Sequence, residues 1–375
     1  MQKTLPINIS IIASRAVYSM YWVYLSSAYI YYIAEYSIPK YFVGYISWAF
    51  ILGAASTQLP AAYIASKWGP DKTYIFGLAL LSFSGIISAI SPSFLILLGS
   101  RIIAGAGAGL FFSTAGYSIF YLNQKKVGFW MGIYNSFFAI GAIIGYLYSF
   151  FYTPQNWKSL IIYSSLIGLI LSFIDYIVIK RSRVSILIDK KRPDLRKNVK
   201  PMLAAVALSG YWGTFYAAET LLPSYYALSS GSVIMGNELT LLLLTFSFIG
   251  GFFTYFYDKV SSKRLFLLFT VIAGGLGFLS FYSKFLVYVG LSIIGFFDEM
   301  SISSLYALSI QLSGEKYSAM ALSLVNFINM ILGMWVSIFF SYFMIYYRQF
   351  LWLSMFLITV FPSLILIDSY FEPKK

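Results

Sequence analysis

Twelve apolar stretches, each long enough to cross a bilayer, follow one another along the chain, and no other feature constrains the fold as tightly. A membrane-spanning helix needs ~20 mostly apolar residues to cross ~30 Å of hydrocarbon. Scanning at that length gives spans over 7–33, 41–65, 73–90, 93–120, 128–151, 157–179, 201–227, 236–257, 264–282, 285–311, 318–345 and 349–370. Barrel strands would alternate apolar and polar positions over ~10 residues. These runs are unbroken, so the spans are helices, which satisfy every backbone group within the segment. The predicted fold is an all-α membrane protein of twelve transmembrane helices. Only 10% of the 375 residues are charged, against about 25% in soluble proteins. The first run is longer than a signal-peptide core and has no small-residue cleavage site, so it reads as a span.

The 26 Lys and Arg divide in the same way. With the N-terminus inside, inner segments hold Lys3, Lys67, Lys72, Lys125, Lys126, nine residues between Lys180 and Lys200, Lys259, Lys263, Arg264, Lys316, Lys374 and Lys375. Outer segments hold only Lys40, Lys158, Lys284 and Arg348, while Arg15 and Arg101 lie within spans. Such an excess of inner basic residues orients the chain. It predicts a multi-pass plasma-membrane protein with both termini in the cytoplasm. The net charge of +13 thus reports topology. It calls for no nucleic-acid partner, because no basic cluster sits on a soluble domain.

The only long polar stretch, 180–200, falls after six spans and before six more. It separates an N-terminal bundle, 1–180, from a C-terminal bundle, 201–375, with 181–200 as a cytoplasmic linker. The halves are weakly self-similar. "SMYWVYLSSA" (19–28) aligns with "SGYWGTFYAA" (209–218), and "FLILLGSRII" (94–103) with "FLVYVGLSII" (285–294), at offsets of 190 and 191. Asn135 falls on Asn326, and Lys125 on Lys316, at that second offset. Corresponding spans run the same way, so the two six-helix bundles are related by a pseudo-two-fold along the membrane normal.

The loop "AAYIASKWGPDK" (61–72) follows the second span and "GGFFTYFYDKVSSKR" (250–264) the eighth. Both resemble the signature loop of the major facilitator superfamily, Gly-x-x-x-Asp-Arg/Lys-x-Gly-Arg/Lys-Arg/Lys. The second copy supplies Asp258, Lys259, Lys263 and Arg264; the first supplies Lys67 and Gly69 but has Ser66 where the acid is expected. The segment from Arg101 to Gly107 is similar to the family's fourth-span motif, Arg-x-x-Gln-Gly-x-Gly, with Ala104 replacing the glutamine. The resemblance implies two bundles around a central cavity, alternating access by rocking, and a chain that works singly. Gly105 with Gly109, and Gly141 with Gly145, are one turn apart and suit closely packed, sliding helices.

A charge at mid-bilayer costs roughly 2.5–3.5 kcal/mol, so retained ones face a cavity or a partner. Arg15 and Arg101 lie ~12 Å from the inner and outer surfaces, and Asp298 and Glu299 ~20 Å from the outer one. Glu219 lies near the outer end of its span. Asp175 and Asp368 lie near inner helix ends, where water or the basic linker would meet them. Asp298 and Glu299 point ~100° apart. Arg101 corresponds to Ser292, and Glu299 follows two turns later on the same face, so Glu299 is favoured over Asp298 as the cavity-facing acid. A buried carboxylate loses hydration in its charged form, which suits Glu299, Asp298 or Glu219 to carry a proton. In the family, a tenth-span carboxylate carries the proton in the lactose permease, and anion carriers place arginines on the first and fourth spans.

Arg15 and Arg101 are therefore candidate anion ligands, since guanidinium matches a carboxylate or phosphate bidentately. Tyr21, Trp22, Tyr211 and Trp212 are candidate stacking residues near mid-membrane, and Asn135 and Asn326 candidate hydrogen-bonding ones. Neither His nor Cys occurs, which leaves no nucleophile–base set, no metal cluster and no cofactor pattern to expect, so an enzyme is disfavoured. The leading reading is a proton-coupled transporter of a small organic anion. Two transport alternatives stay open. One is an exporter of lipophilic or cationic compounds, although Ala142 and Tyr146 depart from the Gly-Pro-x-x-Gly-Gly marker of such members. The other is neutral sugar uptake, to which Gln58 and the tryptophans lend themselves. A membrane receptor or scaffold would call for an added soluble domain.

Overall fold

A computed structural model describes residues 4–182, 186, 198–313 and 318–371. Most of the 181–200 linker, and Lys316 with its pairing to Lys125, lie outside the described residues. The described residues form helices without strands. In chain order these are α1 (Leu5–Val23), α2 (Tyr29–Tyr36), α3 (Val43–Gln58), α4 (Pro60–Trp68), α5 (Pro70–Ala89), α6 (Phe94–Leu122), α7 (Val127–Ser149) and α8 (Trp157–Ser182). There follow α9 (Val199–Ser230), α10 (Val233–Phe253), α11 (Tyr255–Lys259), α12 (Lys263–Leu276), α13 (Val287–Ser313), α14 (Ser318–Gly333), α15 (Trp335–Tyr346) and α16 (Arg348–Val360). Among the described residues, nine helices are long and apolar enough to cross a membrane, or ten with α3 and α4 counted as one span bent by 53°. The twelve-span reading adds α1 and α9. Both are diluted by polar residues that they bury, Ser10, Ser14 and Arg15 on α1, and Thr214, Glu219, Thr220 and Ser224 on α9.

Several predicted spans are broken, two of them at proline. Pro60 lacks the N–H that would continue α3, and α4 restarts from it. After α16, Pro362 opens a 3₁₀ stretch over Phe361–Ile367. Gly69, at φ 94°, ends α4 in a conformation that side-chain-bearing residues rarely adopt.

The chain divides into two compact units, 1–38 with 49–191 and 39–48 with 192–375. In the first, α1 packs on α7 and α8, and α5 on α6 and α8. Helix α8 shows how an apolar segment chooses its buried face in lipid. Its outward face carries Tyr163, Leu166, Ile167, Ile170, Phe173 and Ile174, while Ser164, Ser165, Gly168, Ser172 and Asp175 turn inward. Small and polar residues sit inside because they allow close approach and hydrogen bonding between helices, whereas large apolar ones are equally content in lipid. Glycine serves the same packing. A Cβ at Gly105 would collide with the Phe50 carbonyl, and one at Gly141 with the Ala16 carbonyl.

Asp175 is a correction to the sequence reading. It does not meet water at the helix end. It is fully buried, and Ser10 and Ser14 of α1 donate to its two oxygens, Ser14 at 2.8 Å. The serines are one turn apart on α1, so a single carboxylate bridges two helices. Asp368 is exposed, as expected. In the second unit, α9 is central and packs on α10, α13, α14, α15 and α16. Helices α10 and α13 close on each other through Gly250, against the Phe296 carbonyl, and Gly295, against the Leu243 carbonyl.

Candidate functional site

In the first unit, Arg15, Tyr18 and Trp22 follow at helical spacing on one buried face of α1. The Arg15 guanidinium carbon lies 4.9 Å from the Tyr18 ring centre, 5.0 Å from Phe112, 4.6 Å from Tyr134 and 4.8 Å from Phe138. Tyr134 donates to the Phe112 carbonyl at 3.1 Å, which fixes the α7 ring against α6. Ring faces offer a desolvated cation roughly 2 kcal/mol or more each. They cannot accept the in-plane N–H bonds, and Nε and Nη1 of Arg15 have no hydrogen-bond partner among the described residues.

Arg101 on α6 is 1% exposed and stands 4.5 Å from the Phe50 ring centre. Its Nε and Nη2 likewise lack partners, and neither arginine makes an ion pair among the described residues. The sequence singled out both arginines. It did not single out Phe50, Tyr18, Phe112, Tyr134 or Phe138. Tyr18 was findable from its spacing to Arg15 and Trp22; the others come from distant helices.

In the second unit, Asp298 is 2% exposed on α13, and its Oδ1 has no hydrogen-bond partner among the described residues. Glu299 is half-buried and turns toward α10, where its side chain lies beside Gly251; its Oε1 accepts from Ser303 at 2.9 Å. Glu219 is buried on α9. Gly236, in the first turn of α10, packs on Leu222 and Pro223, and Glu219 lies one turn before them on α9. Glu219, Glu299 and Tyr211 are within electrostatic reach of Asp298.

The remaining candidates separate. Tyr21 donates to the Ser164 carbonyl at 2.6 Å, and Tyr211 to the Ile294 carbonyl at 2.7 Å; both hydroxyls are committed to tying helices together. Trp22 meets Phe50 edge to face at 4.9 Å, whereas Trp212 stacks on Tyr216 at 5.6 Å. Asn326 is buried and accepts from Tyr306, while Asn135 is exposed, so the repeated amides do not share one environment. Of the signature loops, Lys67 covers Tyr63 at 4.5 Å and Lys259 covers Tyr255 at 4.4 Å. Lys263 donates to the carbonyls of Tyr257 (2.6 Å) and Asp258 (3.1 Å), and Arg264 to those of Leu366 (3.1 Å) and Ile367. Asp258 itself is exposed. Gly69 caps α4 through an N–H to the Ala65 carbonyl at 2.9 Å.

Among the described residues, the buried arginines of the first unit make no ion pair, and buried acids lie in both units, Asp175 in the first and Glu219 and Asp298 in the second. The model of the Major Facilitator Superfamily matches residues 9–337. The chain belongs to the Major Facilitator Superfamily. As a facilitator-superfamily member it is a multi-pass membrane transporter. A solved D-xylose–proton symporter shares its fold with a TM-score of 0.72 over 96% of both chains, at 13% identity. A methylenomycin A resistance protein of Streptomyces coelicolor is 25% identical over 32% of this chain and 26% of its own length. A protein of Caenorhabditis elegans named "Potential vesicular glutamate transporter" is 40% identical over 14% of this chain and 10% of its own. A methylenomycin A resistance protein of Bacillus subtilis is 30% identical over 26% and 22%. The chain thus aligns with about a quarter or less of each of these three relatives.

Proposed function

We propose that this facilitator moves a small organic anion across the plasma membrane by alternating access, coupled to protons, with both termini cytoplasmic and the chain acting singly. One observation carries the anion: two guanidinium groups are buried in the first unit with N–H donors that no protein acceptor among the described residues takes. Buried donors left without partners are costly, about 1–3 kcal/mol each and more for charged groups, so their retention points to an acceptor that arrives with the substrate. Asp298, Glu299 and Glu219 are the proton carriers in this reading. They are acids on α9 and α13, while the basic groups Lys263 and Arg264 of the same unit are held on backbone carbonyls near the start of α12.

The test is transport in proteoliposomes under an imposed pH gradient. Uptake of a carboxylate that follows the gradient, and is lost in Asp298→Asn/Glu299→Gln and in Arg101→Gln, supports the reading. Gradient-driven uptake by the double variant excludes those acids as carriers. Stabilisation by lipophilic cations alone would replace the reading with export, the activity that resistance proteins suggest by name. A neutral-solute reading draws on Gln58 and Asn329, both 1% exposed with amides lacking partners among the described residues.

A further inference from the structure

The two arginines are joined by a continuous line of rings within the first unit. Arg15 lies 4.8 Å from Phe138, Phe138 is 6.3 Å from Trp22, Trp22 is 4.9 Å from Phe50, and Phe50 is 4.5 Å from Arg101. Each edge is within the range at which aromatic and cation–ring pairs interact. Arg15 covers Phe112, eleven residues along α6 from Arg101, so the guanidinium groups stand roughly 16 Å apart along the helix.

Three consequences follow for the ligand. A short dicarboxylate or a phosphate is too small to reach both charges, so it would meet one guanidinium at a time. At either end it would find one fork of donors and ring surface, and not the several donors that replace the hydration of a compact anion. An anion carried on a flat apolar body is served at both of its ends: its charge takes the free N–H groups, and its ring stacks along the rings between them.

We propose that the first unit holds an aromatic-walled anion strip, and that the substrate is a carboxylate borne on an aromatic or planar ring. The strip has Arg101 at its outer end, Arg15 at its inner end, and Phe50, Trp22 and Phe138 as the wall. Trp22 is 7% exposed in this structure and Phe50 fully buried, so the ring enters in the opened state of the transport cycle. This inference rests on the anion reading above and narrows it.

The experiment is a titration of the purified full-length protein, read by thermal stability and tryptophan fluorescence. The probes are benzoate and indole-3-acetate against acetate, succinate and inorganic phosphate. Stacking of one ring predicts roughly ten-fold tighter binding of the aromatic carboxylates. Trp22→Leu and Phe50→Leu should bring the benzoate-to-acetate ratio to about three-fold or less, while Trp22→Phe keeps it. Arg15→Gln/Arg101→Gln should abolish binding of all five probes, since each single variant leaves one guanidinium. Equal affinity for acetate and benzoate in the unsubstituted protein, still lost when both arginines are replaced, overturns the aromatic strip and leaves the anion reading standing. Failure of every anion, with lipophilic cations binding, overturns both. If the leucine variants do not fold, the benzoate-to-acetate ratio of the unsubstituted protein decides.

Discussion

Asp175 is a buried acid whose surroundings are fully specified, which allows its energetics to be worked through. Ser10 and Ser14 donate to its two oxygens, and the side chain has no exposure. A hydrogen bond to a charged group contributes about 1.5–3 kcal/mol. Ser10→Ala/Ser14→Ala removes two such bonds and strands the carboxylate in the α1–α8 seam, a change expected to cost about 3–5 kcal/mol. Ser10→Ala/Ser14→Ala/Asp175→Leu removes the stranded group as well. Replacing a whole buried polar set by apolar side chains of similar volume is often neutral, so this triple variant should return to within about 1–2 kcal/mol of the parent. The assay is reversible unfolding in mixed micelles as the denaturing detergent fraction rises, with transition midpoints compared across the three proteins. A triple variant as unstable as the double would refute the reasoning. It would mean that the serines matter for packing α1 against α8 and not for satisfying the acid.

Other expectations are simpler. Gly105→Ala drives a methyl into the Phe50 carbonyl and should destabilise by about 1–3 kcal/mol. A methyl at Gly99 would meet no atom within 4 Å, so Gly99→Ala should be neutral or add about 0.5–1 kcal/mol; unfolding midpoints of opposite sign check the pair. Lys158→Ala breaks the 2.5 Å ion pair to Glu35, but both side chains are partly exposed, so stability should change by no more than about 1 kcal/mol, and by less in high salt. Arg264→Gln removes donors from the Leu366 and Ile367 carbonyls, and faster hydrogen exchange over Phe361–Ile367 should report it, with α13 unaffected.

The spans were legible because hydrocarbon thickness dictates their length, and the charge bias of their loops follows from insertion. Their interruptions were less so. Pro60 and Pro362 could have been read as breaks, whereas Gly333, at the division of α14 from α15, is a weaker marker than proline. Arg15 and Arg101 stood out because a charge is rare in such segments. What surrounds them did not, since Phe50, Phe112, Tyr134 and Phe138 are four of 76 aromatic residues, and only the packing of α3, α6 and α7 selects them. Asp175 was misplaced for a related reason. Its distance from the helix end suggested water, but the partner face was supplied by two serines more than 160 residues away.

The internal repeat sharpens what the two units have in common and where they part. At the offsets set by the aligned spans, Arg15 corresponds to Ala205, Arg101 to Ser292, Asp298 to Gly107 and Glu299 to Ala108. Each of these four interior charges falls on a small uncharged residue in the other half. Duplication accounts for the shared helical frame, because glycine and serine faces that let helices approach are needed in both copies. It does not account for these four charges, which occur once each: two arginines without ion pairs among the described residues in the first unit, and two acids in the second. The frame itself does not call for them, since the corresponding positions of the other half are Ala205, Ser292, Gly107 and Ala108. Anion binding and proton carriage, placed on separate copies of one frame, do give a reason. Exchanging a charge for its counterpart, as in Arg101→Ser or Asp298→Gly, should therefore leave folded yield nearly unchanged while removing transport; a collapse of folded yield in both would show that the charges serve the fold.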